Sequence, residues 1–383
     1  MSKKLKVLIV PKWYPRENKP VSGIFVHEFA KAISRYCDVA VLFGHQNSSI
    51  KKLYEIHYKK MDNIKVFYIY HKKILSSYIC YMIAMFLAFR KIKKKFYPDI
   101  IHVHVYTAGI LPLLLKHLYK IPYILTEHFK IIKPKDKFFI KKLKILLAKL
   151  VFRNAELLIH VSRFMADYIE NFGIKKKYTI VPNTIDTSIF YYKNYNYNKN
   201  IYSKKKHIIF VGNLTSGKGM DYLLHAISIL KEKRSDFILN IVGDGEECSK
   251  YKYMVKKLNI SDIVIFHGIK SKKEVAKMMR KSHFLVLPSL FETFSCVSIE
   301  AMATGLPVVA TEVGAIKEII DKNKGILVAP GDVDSLISAI EFMLDNHSKY
   351  DHSRISNYIR KKYGYDAVGK KLYDIYKMIL NKQ

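Results

Sequence analysis

The sequence predicts two doubly wound α/β domains, and three observations carry that prediction. At 383 residues the chain is too long for one ordinary core. Ile- and Val-rich runs recur along it at spacings that fit a crossover helix. They are continuous rather than alternating, as strands buried on both faces of a parallel sheet are. A polar stretch rich in Tyr and Asn, without periodicity, interrupts the series near the middle.

Taken in order, the strand-like runs of the first half are KVLIV (6–10), VAVLF (39–43), DIIHVHV (99–105), YILT (123–126) and ELLIHV (156–161). Those of the second half are HIIFVG (207–212), FILNIVG (237–243), DIVIFHG (262–268), HFLVLP (283–288) and PVVAT (307–311). The interruption spans 186–207 and puts the boundary near residue 190. The expected division is a first domain over 1–190, a linker over 191–206, a second domain over 207–360 and a final segment over 361–383. In that segment YGYDAVGKKLYDIYKMIL (363–380) has the pattern of an amphipathic helix. Ligands of such sheets sit at the carboxyl ends of the strands, so the chemistry belongs in the post-strand loops.

Two segments of the first half depart from the alternation. ILSSYICYMIAMFLAF (74–89) is apolar but falls short of the roughly 20 residues a membrane span needs, which predicts a buried or interfacial helix. KIIKPKDKFFIKKLKILLAKLVFR (130–153) sets Phe138, Phe139, Leu143, Leu146, Leu147 and Leu150 at helical spacing among lysines. It fits a basic amphipathic helix on anionic lipid, or a core helix with a solvated lysine face.

The net charge of +34 predicts attraction to an anion, although Lys, Asn, Ile and Tyr abound throughout, as an AT-biased genome would write them. Four scattered cysteines without a C-x-x-C pair argue against a zinc cluster or a disulfide framework and fit a reducing cytoplasm. The start, MSKKLKVLIV, passes from a short basic stretch into a strand, so no signal peptide is expected.

FVGNLTSGKGMD (210–221) opens like a phosphate-binding P-loop, with G-x-x-x-x-G-K from Gly212 to Lys218. Gly219 stands where Ser or Thr would hold magnesium, so a phosphate grip other than a P-loop is expected. PSLFETFSCVSIEAMATGLPVVAT (288–311) leaves a strand, crosses a loop holding Glu292, enters a helix near Phe294 and ends at Gly305. The first amides of that helix, around Phe294, Ser295 and Cys296, suit a phosphate. Glu300 suits ribose hydroxyls, and Glu292 suits sugar hydroxyls beyond the phosphates. Asp332-Val-Asp334 fits helix capping better than metal binding. His102 and His104 alternate on a strand without an evident carboxylate partner, and no metal is expected.

E-x7-E followed by A-M-A-x-G-x-P-V-V-A-T resembles the signature of retaining glycosyltransferases of the GT-B fold, family four. The resemblance extends through PKWYPRENKPVSGIFVHEFAKAI (11–33), PDIIHVH (98–104), TEH (126–128), VSRFMADYI (161–169), VPNTIDTSIF (181–190), VGDGEE (242–247) and GILVAPGDVDSL (325–336). It implies two Rossmann-like domains facing a cleft, the first binding the acceptor, the second the nucleotide sugar, with the final helix crossing back onto the first. Lys218 matches the lysine that contacts the donor diphosphate, Gly23 lies in the loop near the phosphates, and His128 matches a histidine facing the donor sugar. Two departures stand out: Asn213 replaces the usual arginine, and Ser295 occupies a position where glycine is common.

The function this implies is metal-independent retaining transfer from a nucleotide-diphosphate sugar, used as co-substrate without a further cofactor, to a lipid-linked or growing surface glycan. The setting implied is the cytoplasm, peripheral to an anionic inner-membrane surface. Two alternatives remain at this point. A sugar-nucleotide epimerase would need no separate acceptor. A nucleic-acid-binding protein rests on charge alone, without an aromatic-basic or recognition-helix pattern.

Overall fold

The structure, a computed structural model, describes residues 4–72, 77–128, 138–193 and 205–382. The described chain forms two compact units, Met1–Thr184 with Tyr365–Gln383, and Ile185–Gly364. The division after Thr184 comes before the boundary placed near residue 190, because Ile185 N–H donates to Tyr363 O at 3.0 Å inside the second unit. Residues 194–204 of the expected linker lie outside the described residues, as do 74–76 and 130–137 of the two unusual helical segments.

The first unit holds β1 (Lys6–Pro11), β2 (Asp38–Gln46), β3 (Tyr54–Met61), β4 (Ile64–His71), β5 (Ile100–His104), β6 (Tyr123–Glu127), β7 (Leu158–His160) and β8 (Tyr178–Ile180). Their order across the sheet is β3-β4-β2-β1-β5-β6-β7-β8. All neighbours pair in parallel except β3 and β4. That antiparallel hairpin was not expected. It turns on Asp62 and Asn63, both at positive φ (47° and 64°), the geometry a two-residue hairpin loop requires. β3 is a largely exposed edge strand and lacks a continuous apolar run, and β4, β8 and β14 were likewise not among the expected strands.

The second unit is an all-parallel sheet of β9 (Lys206–Val211), β10 (Phe237–Val242), β11 (Val264–Phe266), β12 (Phe284–Leu287), β13 (Val308–Thr311) and β14 (Gly325–Val328). The order β11-β10-β9-β12-β13-β14 is the doubly wound one, reversing direction between β9 and β12. In the first sheet the same reversal lies between β1 and β5. Loops at a reversal point splay apart and leave room for a ligand.

The helix Tyr365–Leu380 packs in the first unit against the helix Ile24–Ser34. A Cβ on Gly369 would stand 2.2 Å from Ala32 O, so the approach requires glycine. Tyr376 OH lies 2.7 Å from His102 Nδ1 under the sheet, and Tyr365 OH donates to the buried Glu28 carboxylate.

The helix Ser77–Ile92 buries Cys80, Ala84, Met85, Ala88 and Phe89, while Ile79 and Ile83 face solvent. The helix Phe138–Asn154 buries Ala148, Val151 and Phe152. Its Leu143, Leu146 and Leu150, at 57%, 67% and 48% exposure, point outward, so a core helix with only lysines outside does not describe it. Among the described residues no helix is long and apolar enough to cross a membrane.

Candidate active site

The loops after β9 and β12, on either side of the reversal point, bring together Lys218 and Glu292, two of the side chains singled out in the sequence. Lys218 closes a short 3-10 turn, Ser216–Lys218, and Glu292 lies in the loop before the helix Cys296–Ala303. The Lys218 ammonium donates to Glu292 Oε1, and the buried Ser289 hydroxyl donates to the same oxygen at 3.1 Å. With side-chain exposures of 28% and 12%, the pair is largely shielded yet open on one side.

Two glycines make this approach possible. Gly219 has φ +66°, and a Cβ there would stand 1.9 Å from Pro288 O. Gly314, after β13, has φ +56°, and its Cβ would stand 1.6 Å from Glu292 O. Leu290 N–H donates to Gly217 O at 3.0 Å, and Thr311 Oγ1 donates to Ser289 O, so both loops are tied at the backbone. Sequence reasoning found Lys218 and Glu292 but missed Ser289, Gly219 as a packing requirement, and Gly314. A glycine just past the PVVAT strand was the available signal.

Ser295 is the N-cap of the helix Cys296–Ala303, its Oγ accepting from Ser298 N at 3.3 Å and from Ser298 Oγ at 2.8 Å. The serine that departs from glycine is thus turned inward, 3% exposed. Phe294 is buried, its ring 6.1 Å from that of Tyr363. Cys296 opens the helix and Glu300 lies further along it, both half-buried. The first amides of any helix lack intrahelical acceptors, so this end offers donors beside the Lys218 ammonium's loop. Asn213 is exposed after β9, its carbonyl accepting from Thr215 N at 3.0 Å. Asp332 caps the helix Val333–Asn346 by accepting from Ser335 N at 3.0 Å.

His128 and Gly23 belong to the first unit. Gly23 sits at φ 66° before the helix Ile24–Ser34, and a Cβ on it would meet Trp13 O at 2.3 Å. That helix places Phe25 against His128, with ring centroids 4.5 Å apart. His128 Nε2 lies 2.9 Å from His104 Nδ1, one donating and the other accepting. Burial, and then the neighbouring His102, push His128 down to about 3. His102, pushed to about 3 by burial, lies 2.7 Å from Thr126 Oγ1. Three stacked neutral imidazoles therefore occupy the end of β5 and β6, with His104 Nε2 and His128 Nδ1 buried without a hydrogen-bond partner among the described residues. Among the described residues no group of three or more His, Cys, Asp or Glu is gathered to hold a metal. Glu127, passed over within TEH, accepts from the amides of His128 and Tyr106, both at 3.0 Å. It thereby pins the turn after Val105, a β-branched residue held at φ 73°.

Residues 193–362 match the family model described as glycosyl transferases group 1. Residues 22–189 match that of glycosyltransferase family 4. An uncharacterized glycosyltransferase of Methanocaldococcus jannaschii is 30% identical over 350 residues, 89% of each chain. Among solved structures, sucrose-phosphate synthase from Thermosynechococcus elongatus superposes with a TM-score of 0.78 at 18% identity, covering all of both chains. HepE of Anabaena, solved with UDP and glucose, gives 0.77 at 16% identity over 98% of this chain and 100% of its own. At such identity the two structures speak for the fold, the GT-B arrangement of Rossmann-like domains. With both halves matched and a relative aligned over most of its length, the chain belongs to the group 1, family 4 glycosyltransferases, which move a sugar from a donor to an acceptor.

Proposed function

We propose that the chain transfers a sugar from a nucleoside-diphosphate donor to a lipid-linked or growing cell-surface glycan, with retention of anomeric configuration and without a metal ion. The observation that carries this reading is the Lys218–Glu292 pair, set by Gly219 and Gly314 at the reversal point of the second sheet. HepE, a structural neighbour, holds UDP and glucose, which supports a nucleotide-sugar donor here.

The donor diphosphate lies against Lys218 and the helix amides at Ser295 and Cys296. Glu300 accepts from ribose hydroxyls, and Asn213 adds an amide where the family's arginine is missing. Glu292, with Oε1 already engaged, keeps Oε2 for sugar hydroxyls. As the C1–oxygen bond breaks, its electron pair leaves with the diphosphate. The acceptor hydroxyl attacks C1 from the face being vacated and gives its proton to the departing phosphate oxygen. Lys218 neutralises the charge that grows on the leaving diphosphate, the role a divalent cation would otherwise fill. With folded-state values near 3, His102 and His128 are neutral at physiological pH and supply no acid.

The setting is the cytoplasmic face of an anionic inner membrane. Leu143, Leu146 and Leu150 project from the helix Phe138–Asn154 beside Lys144 and Lys149, a face suited to the headgroup boundary. The test is incubation of purified protein with radiolabelled nucleotide sugars, with and without membrane glycan lipids. Label passing to lipid only when the acceptor is present is the expected result. Epimerised nucleotide sugar from donor alone would overturn it.

A further inference from the structure

The loop after β1, the ends of β2 and β4, and the helix Ser77–Ile92 line a cavity of about 540 Å3 in the first unit. Lys12, Arg16 and Lys19 line it, and no carboxylate does among the described lining residues. The backbone beneath these cations is held in place, and Arg16 is half-buried while Lys12 and Lys19 are exposed. Lys19 N–H donates to Arg16 O at 3.0 Å and Arg16 N–H to Lys19 O at 3.4 Å, which holds the two residues side by side. Lys12 N–H donates to His104 O at 3.1 Å, fixing the end of β1. The acid of this loop, Glu17, is 94% exposed and lies 3.7 Å from Lys59. Arg16 Nε and Thr107 Oγ1 are buried without a hydrogen-bond partner among the described residues, and both belong to the lining.

Like charges gathered without a counter-charge repel, and a buried guanidinium nitrogen without an acceptor is costly. Both costs are offset when an anion enters. The electrostatics agree: burial, then Arg16, His71 and Lys19, push His45 down to about 4, and desolvation lowers Lys12. Trp13 and Tyr81 are among the aromatic residues of the wall, flat surface of the kind a sugar ring covers. Arg offers a planar fork to a phosphate and Lys a point charge.

We infer that this cavity is an acceptor subsite for a phosphate-bearing glycan. Arg16 and Lys19 grip a phosphate or diphosphate joined to the acceptor sugar, whose ring lies on Trp13 and Tyr81. The inference rests on reading the first unit as the acceptor-binding half of a glycosyltransferase. It narrows the acceptor to one chemistry with two sources, a lipid diphosphate sugar or a phosphorylated glycan.

Trp13 is the single tryptophan of the chain, so its fluorescence reports on the cavity directly. The full chain is titrated with glucose 1-phosphate, farnesyl diphosphate and neutral methyl glucoside. Saturable quenching by the phosphate-bearing probes but not the glucoside is expected. Tighter binding of farnesyl diphosphate points to the lipid source, and tighter binding of the sugar phosphate to the glycan source. Arg16→Gln and Lys19→Gln should each weaken that binding about tenfold or more, the loss of a charge-assisted bond. Arg16→Lys should recover part of it with an unchanged melting temperature. Lys218→Ala, which removes the donor-side cation, should leave the Trp13 signal intact while donor turnover falls. Quenching by methyl glucoside, or phosphate binding that survives in Arg16→Gln and disappears in Lys218→Ala, would overturn the subsite. Unchanged donor turnover in Lys218→Ala would instead strike at the transferase mechanism.

Discussion

Removing the Lys218 ammonium separates catalysis from stability. In Lys218→Ala the Glu292 carboxylate keeps the Ser289 hydroxyl but loses its counter-charge. Exposed pairs contribute up to about 1 kcal/mol, and breaking a buried one costs about 3–5 kcal/mol. With 28% and 12% exposure the pair lies between, at about 2 kcal/mol. For a unit of this size that is a melting shift of roughly 4–8 °C. The rate responds more strongly. A unit charge about 4 Å from the developing diphosphate charge, at an effective dielectric near 20, is worth about 4 kcal/mol. That is roughly a thousandfold in turnover. The assay is initial-rate transfer of radiolabelled sugar at saturating donor, with melting followed in parallel. Adding Glu292→Ala to Lys218→Ala removes the orphaned carboxylate, so stability should recover while the rate does not. A single variant within about tenfold of the wild-type rate, or a double variant whose rate returns, would refute the reasoning.

Other outcomes follow from the same geometry. Gly314→Ala places a methyl group against Glu292 O and forces a left-handed alanine, costing about 1–2 kcal/mol from the backbone alone. Transfer should fall with it, whereas Gly217→Ala, which meets nothing within 4 Å, should melt like the wild type. Stability should fall with acid, because His102 and His128 stay neutral in the folded state down to about 3 while unfolded imidazoles take up protons from about 6.5. Their contribution is complete above pH 6.5 and is lost as the pH falls toward 3. Between pH 7 and 5 the loss is about 2 kcal/mol for each, visible as a lower urea midpoint. A flat profile would contradict the burial. Leu146→Glu should weaken cosedimentation with anionic vesicles without altering melting, since Leu146 is 67% exposed. Equal sedimentation of both proteins would count against the membrane face.

Ten of the parallel strands were legible because burial on both faces leaves an unbroken apolar run in the sequence, whereas β4, parallel to β2, alternates in burial and was missed. β3 was missed too, because an edge strand exposes YEIHYKKM and its signal lay in the Asp62-Asn63 turn. β8 and β14 are short, and the motif GILVAPGD was recognised without its strand. Lys218 and Glu292 were each visible within a local motif. Their contact spans 74 positions and depends on two glycines meeting distant carbonyls, which no spacing rule encodes. At Ser295 the sequence showed a departure, and only the capping bond shows where the side chain goes.

The contact of Gly369 with Ala32 has a consequence for how this protein is made. Because Tyr365–Gln383 completes the unit begun at Met1, residues 185–364 interrupt it as an insertion. A ribosome finishes the inserted sheet before it releases the helix that the earlier sheet awaits. The unit translated first therefore closes last, and its helix Ile24–Ser34 remains uncovered throughout synthesis. A fragment ending at Thr184 would share that defect, and joining residues 365–382 to it by a short linker is the way to obtain the unit alone.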